Sequence, residues 1–179
     1  MFYITNFADA AVVLPLMLAV WAVGVWQRCV SIVSLWVACV GAVWLAVLCL
    51  KVVCLVTSAS HTIGISSPSG HTASACVVYG GIAWLLGHRR APILVWMTVF
   101  ALTMTVGMSR IVVGAHNAAE VALGAIIGAC GLAVLHLTGD TSPDMRPRPV
   151  IVAAVLVIAL LHGTTLPIEK VMQRIVRTW

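Results

Sequence analysis

Charge is what this sequence has least of. Its 179 residues hold 10 Lys+Arg and 5 Asp+Glu, so 8% is charged against 62% hydrophobic, and the mean hydropathy is +1.12. A water-soluble domain carries about 25% charged residues because its surface faces water. Soluble, disordered and fibrous classes are therefore excluded, and a membrane composition remains. Clustered bases are also lacking. The net charge of +5 comes from residues scattered singly or in pairs at the ends of apolar runs, which argues against nucleic acid as a partner. The six cysteines (Cys29, Cys39, Cys49, Cys54, Cys76, Cys130) make no C-x-x-C pair of the metal type and read as small packing residues. No basic n-region precedes the first apolar run, which is expected to be a retained span rather than a signal peptide. No soluble-domain linker and no long internal repeat interrupts the chain, so residues 1–179 are read as one domain.

What is present is apolar runs. Six are marked off by polar punctuation, at roughly 10–26, 30–51, 71–87, 92–108, 117–137 and 149–166. Each is expected to be a helix, because a lone span in lipid satisfies its backbone hydrogen bonds only that way. The fold expected is thus all-α, an integral membrane bundle of six transmembrane helices. A short C-terminal interfacial helix follows, because Ile168, Val171, Met172, Ile175, Val176 and Trp179 recur at helical spacing with Glu169, Lys170, Gln173, Arg174 and Arg177 between them. Gly124 and Gly128 form a G-x-x-x-G, which serves close packing inside the bundle or a homodimer contact.

Six crossings put Arg28, Arg89, Arg90, Arg146 and Arg148 on one side of the membrane, and Lys51, Arg110 and both termini on the other. With Lys51 and Arg110 assigned to chemistry, the five bases of the first side exceed the three of the tail, Lys170, Arg174 and Arg177, and mark the first side as cytoplasmic.

In so apolar a chain, ionisable residues beside spans point to function. Lys51 follows the second run, Pro68-Ser69-Gly70-His71 opens the third, Ser109-Arg110 ends the fourth, and His116 and Glu120 open the fifth. The crossing count places all of them at one membrane face. Their chemistry suits phosphoryl transfer, in which negative charge spreads over the phosphoryl oxygens. Arg110 offers a planar fork, Lys51 a point charge, Ser69 a hydroxyl, and Gly70 an unshielded N–H at a helix start. His116 and Glu120, four apart, share a helix face, so the carboxylate can fix the histidine tautomer and leave the other ring nitrogen free to attack phosphorus. His71 can protonate the departing oxygen. His88, His136 and His162 read as ordinary interfacial histidines.

These residues resemble the type 2 phosphatidic acid phosphatase family, membrane lipid phosphatases related to vanadium haloperoxidases and marked by K-x6-R-P, P-S-G-H and S-R-x5-H-x3-D. The second motif is complete in residues 68–71, and the third is complete except that Glu120 stands where the family has Asp. In the first, Ser58 and Ala59 stand at the Arg and Pro positions, so one phosphate-binding cation is missing, with His61 as a nearby substitute or an ordinary loop residue. The resemblance covers about half the chain, with a helical core over roughly 30–137.

It implies that His116 is the nucleophile, Glu120 its orienting partner and His71 the general acid, with Lys51, Ser69, Gly70 and Arg110 cradling phosphate. It implies a phosphohistidine intermediate and no metal or other cofactor, and the sequence has no Asp/His cluster to bind a metal. The expected function is hydrolysis of a lipid phosphomonoester or pyrophosphate, with undecaprenyl diphosphate as first candidate, ahead of phosphatidylglycerophosphate, phosphatidic acid and lipid A phosphates. Membrane lipids are the expected surroundings, and a bacterial inner membrane with a periplasmic active site is the expected location. The competing expectation is a protein that has lost catalysis and binds or moves phospholipids, against which both histidines argue. A haloperoxidase-like or phosphotransferase activity is disfavoured by the missing cation.

Overall fold

The computed structural model describes residues 7–57, 64–139, 145–161 and 163, and every regular element among them is helical. The first is α1 (Ala10–Trp26), capped by Asp9, whose carboxylate accepts the Ala11 amide at 2.9 Å. It turns back through residues 27–29, where Arg28 takes a left-handed φ of 62° and the Cys29 amide donates to the Gly24 carbonyl at 2.8 Å. Then comes α2 (Val30–Val56), which runs through Lys51 rather than stopping there. Leu, Val and Cys on both sides of Lys51 keep the helix going, and the lysine's long stem can carry its ammonium out to the polar end.

The third apolar run is helical over residues 70–87 in three joined pieces: α3 (Gly70–Ser74), a π-helical turn (Ala75–Tyr79) and α4 (Gly80–Gly87). Next, α5 (Pro92–Val112) has proline in its first turn, where a missing N–H costs nothing. It continues past the expected end at residue 108, since Ser109 satisfies its hydroxyl on the Val106 carbonyl at 2.7 Å. The last two are α6 (Ala118–Gly139) and α7 (Pro147–Leu161). The amphipathic tail at 168–179, together with Ser58, Ala59, His61 and His162, lies outside the described residues.

α2, α5 and α6 are long and apolar enough to cross a membrane, while α1 and α7 are shorter apolar helices. The outward faces are apolar. Leu18, Phe100, Leu137 and Leu160 are each between 66% and 80% exposed, a surface that water would not tolerate over this extent but lipid would. The interior is built from Trp36, Val40 and Val43 of α2, Val77 and Trp84 of the 70–87 run, and Leu132 and Leu135 of α6.

The 70–87 run packs on α2, α5 and α6, and α1 packs on α2 and α7. Small residues bring the backbones close. A methyl group at Gly81 would meet the Trp36 indole nitrogen at 2.2 Å, and that indole donates to the Val77 carbonyl at 3.2 Å, inside the π turn. Gly124 and Gly128 both face the 70–87 run: a Cβ on either would lie 2.4 Å from the Ser69 carbonyl oxygen or 2.7 Å from that of Ala73. Of the two uses the sequence allows, the G-x-x-x-G serves packing within the chain. Its effect is to press residues 69–76 against the start of α6, which assembles the site.

Candidate active site

Two local structures meet at this end of the bundle. The first is the segment before α3. Pro68 and Ser69 are buried, and the Ser69 hydroxyl caps α3 by accepting the Thr72 amide at 3.4 Å, with the Thr72 hydroxyl 2.9 Å away. A serine there satisfies an N–H that the helix itself cannot. The Ser69 amide in turn donates to the Glu120 carbonyl at 3.0 Å, fastening the segment to α6.

The second is the turn from α5 to α6. Gly114 has φ 72°, a conformation that costs glycine nothing. With glycine there, the Gly114 amide reaches the Ile111 carbonyl at 2.9 Å and the Ala115 amide reaches the Arg110 carbonyl at 3.0 Å, the paired bonds of a Schellman motif. The His116 amide also donates to the Arg110 carbonyl, at 3.3 Å. The five-residue spacing between Arg110 and His116 is thus the length of a helix ending that folds the second residue back over the first.

The next helix starts at once. Asn117 accepts the Glu120 amide at 2.9 Å through Oδ1, and the Glu120 carboxylate accepts the Asn117 amide at 3.2 Å, a reciprocal capping box. The same carboxylate oxygen, Oε2, lies 2.8 Å from Nδ1 of His116. Oε1 accepts three donors from the other segment: the Ser66 amide at 2.7 Å, the Ser66 hydroxyl, and the Ser67 amide at 3.1 Å. The His116 and Glu120 side chains are only 5% and 3% exposed. A carboxylate so buried is stable as an anion because five donors replace its water.

The expected site residues fall as follows. His116 and Glu120 touch. Ser69 is bonded to Glu120 through its backbone, and Gly70 and His71 follow it in the first turn of α3. Arg110 is buried in the last turn of α5, its carbonyl holding the turn to His116. Lys51 is reached indirectly: the Cβ position of Gly70 lies 3.7 Å from Val47, and Lys51 is one helical turn beyond Val47 on the same face of α2.

A π-helical turn follows one residue after α3 begins its second turn, and such turns recur at functional sites. Sequence reasoning missed Ser66, Ser67, Gly114 and Asn117. The N-x-x-E capping signature at 117–120 and the glycine ahead of His116 were there to be read. Ser66 and Ser67 carried no signal, because only folding brings them to Glu120.

Residues 54–144 match the PAP2 superfamily, a span that is half of the chain and contains His71, Arg110, His116 and Glu120. The chain belongs to the PAP2 superfamily. An uncharacterized 22.5 kDa protein in the cps region of Klebsiella pneumoniae is 34% identical over 82 residues, covering 42% of this chain and 38% of that protein. No solved structure matches. The PAP2 span begins just past Lys51 and takes in Ser58 and Ala59. PAP2 membership and the three long apolar helices together identify a membrane protein of a phosphatase superfamily.

Proposed function

We propose that this PAP2 protein is a lipid phosphatase that cleaves a phosphomonoester or pyrophosphate by way of a phosphohistidine on His116, without a metal. The observation that carries the reading is the His116–Glu120 pair, 2.8 Å apart and largely buried. A carboxylate at Nδ1 holds the proton there, so the lone pair sits on Nε2, ready to attack phosphorus.

The phosphoryl group sits between Lys51, Ser69, the Gly70 amide and Arg110, whose charges and donors offset the negative charge of its equatorial oxygens. Ser69 already spends its lone pairs on capping α3, and its own proton remains for a phosphate oxygen. The Nε2–P bond forms as the bond from phosphorus to the leaving oxygen breaks, the ester oxygen of a monoester or the bridging oxygen of a pyrophosphate, and His71 gives that oxygen its proton. Water then attacks the phosphohistidine, His71 takes a proton from the water, and inorganic phosphate leaves with His116 restored.

The lipid's apolar chains lie against the bundle's outward face while its headgroup enters the polar end. The six apolar helical runs all cross, which puts Arg28, Arg89, Arg90, Arg146 and Arg148 on the cytoplasmic side and the site on the other, periplasmic in a bacterial inner membrane. Undecaprenyl diphosphate is the first candidate substrate.

The experiment is phosphate release by detergent-purified protein, in EDTA, over undecaprenyl diphosphate, phosphatidylglycerophosphate, phosphatidic acid and lipid A. Release from one of them that is lost in His116→Ala supports the reading. Release that needs an added metal overturns the mechanism. A flat panel with retained lipid binding favours a phospholipid-binding protein, the reading that the lost first-motif cation supports.

A further inference from the structure

We propose that Ser66 and Ser67 are positioning residues that act on His116 through Glu120, and that glutamate rather than the family's aspartate stands at 120 because only the longer side chain reaches both. This rests on the phosphatase reading of the site.

The Glu120 carboxylate is a bridge between two segments that are more than 50 residues apart in sequence. Oε2 faces its own helix start, with His116 Nδ1 at 2.8 Å and the Asn117 amide at 3.2 Å. Oε1 faces the segment before α3, taking Ser66 through both amide and hydroxyl and Ser67 through its amide. Together these five donors more than fill the roughly four lone-pair positions of a carboxylate. The orientation of the plane that presents Oε2 to His116 is therefore set from the opposite edge by Ser66 and Ser67. A second tie runs parallel, from the Ser69 amide to the Glu120 carbonyl at 3.0 Å. Nucleophile, carboxylate and the segment that supplies Ser69, Gly70 and His71 form one hydrogen-bonded unit.

An aspartate at 120 would draw the carboxylate back toward the α6 backbone by about one C–C bond, ~1.5 Å. Bonds of 2.7 and 3.1 Å to Ser66 and Ser67 would then exceed hydrogen-bond range, or the bond to His116 would. Restoring the family's own residue is thus predicted to damage this site. The longer side chain at 120 and the two serines form one hydrogen-bonded arrangement.

The test is steady-state phosphate release by full-length protein on the best substrate of the panel, with four variants. Glu120→Asp is expected to lower kcat at least about tenfold with KM changed less than about twofold, because phosphate binding is left to other groups. Ser66→Ala, which removes the hydroxyl and keeps the amide, is expected to lower kcat about three- to tenfold, and Ser66→Thr to restore it. In the double variant Ser66→Ala/Glu120→Asp, loss of the hydroxyl is expected to add less than about twofold, since its acceptor has already withdrawn. Glu120→Asp and Ser66→Ala with wild-type kcat, or fully multiplicative effects in the double variant, would overturn the proposal. Should Ser66→Ala fail to fold, Glu120→Asp, one methylene smaller, still decides it. Failure of the underlying reading looks different: His116→Ala would then keep its activity, whatever the other variants do.

Discussion

Nδ1 of His116, just ahead of α6, and Oε2 of Glu120, in its first turn, lie 2.8 Å apart, and neither side chain is more than 5% exposed. The pair makes the tautomer of His116 a property of the fold rather than of the solvent. Glu120→Gln keeps the shape but removes the charge that retains the Nδ1 proton and stabilises imidazolium. Its expected effect is a fall in kcat of about 10²–10⁴-fold, read from phosphate release under saturating lipid. Activity within threefold of wild type would leave Glu120 a helix cap alone.

His71 in the first turn of α3 is assigned the proton that the leaving oxygen needs. His71→Ala should slow release from a lipid phosphate by about 10²–10⁴-fold. An aryl phosphate such as p-nitrophenyl phosphate, whose leaving group departs without a proton, should lose far less. Equal losses on both substrates would remove His71 from the general-acid role.

Much of this site was legible because charge is so scarce. Arg110, His116 and Glu120 stand out against an apolar background, and the spacing of the third motif is itself local structure: a Schellman ending at Gly114, then a capping box from Asn117 to Glu120. The run boundaries were legible to within a few residues where polar residues end a helix. They slipped at Lys51 and Ser109-Arg110, because a single charged or hydroxylated residue with a satisfied or solvent-reaching side chain does not stop a helix. The contact of Ser66 and Ser67 with Glu120 was not legible, since it joins residues more than 50 positions apart in the chain. The π turn at Ala75–Tyr79 was likewise hidden, because its residues have no common pattern.

Gly124 is where α6 lets the Ser69 backbone in. A methyl group there would stand 2.4 Å from a carbonyl oxygen that belongs to the site segment, so Gly124→Ala must push the two apart. A loss of about 1–3 kcal/mol is expected, with activity reduced alongside it. Gly41, in α2, has nothing within 4 Å of its Cβ position, so Gly41→Ala should be neutral or slightly stabilising. Thermal unfolding of the two variants in detergent checks the contrast.

Gly114 tests the turn itself. At φ 72° an alanine is strained by about 1 kcal/mol, and the open space around its Cβ position leaves no clash to add. Gly114→Ala is expected to lower the melting temperature by only a few degrees. Its larger effect is expected in kcat, because the turn holds His116 to the Arg110 carbonyl. A kcat equal to wild type would show that the turn's geometry does not govern the part His116 plays.

The central claim is that His116 carries the phosphoryl group, and the most direct measurement is a rapid quench of the working enzyme with a phosphate-labelled lipid, followed by peptide mapping under alkaline conditions that preserve phosphohistidine. The account predicts an acid-labile, base-stable label on the peptide containing His116, absent in His116→Ala and lost at the rate of turnover. Steady turnover with the label on another residue, or by His116→Ala itself, would contradict it.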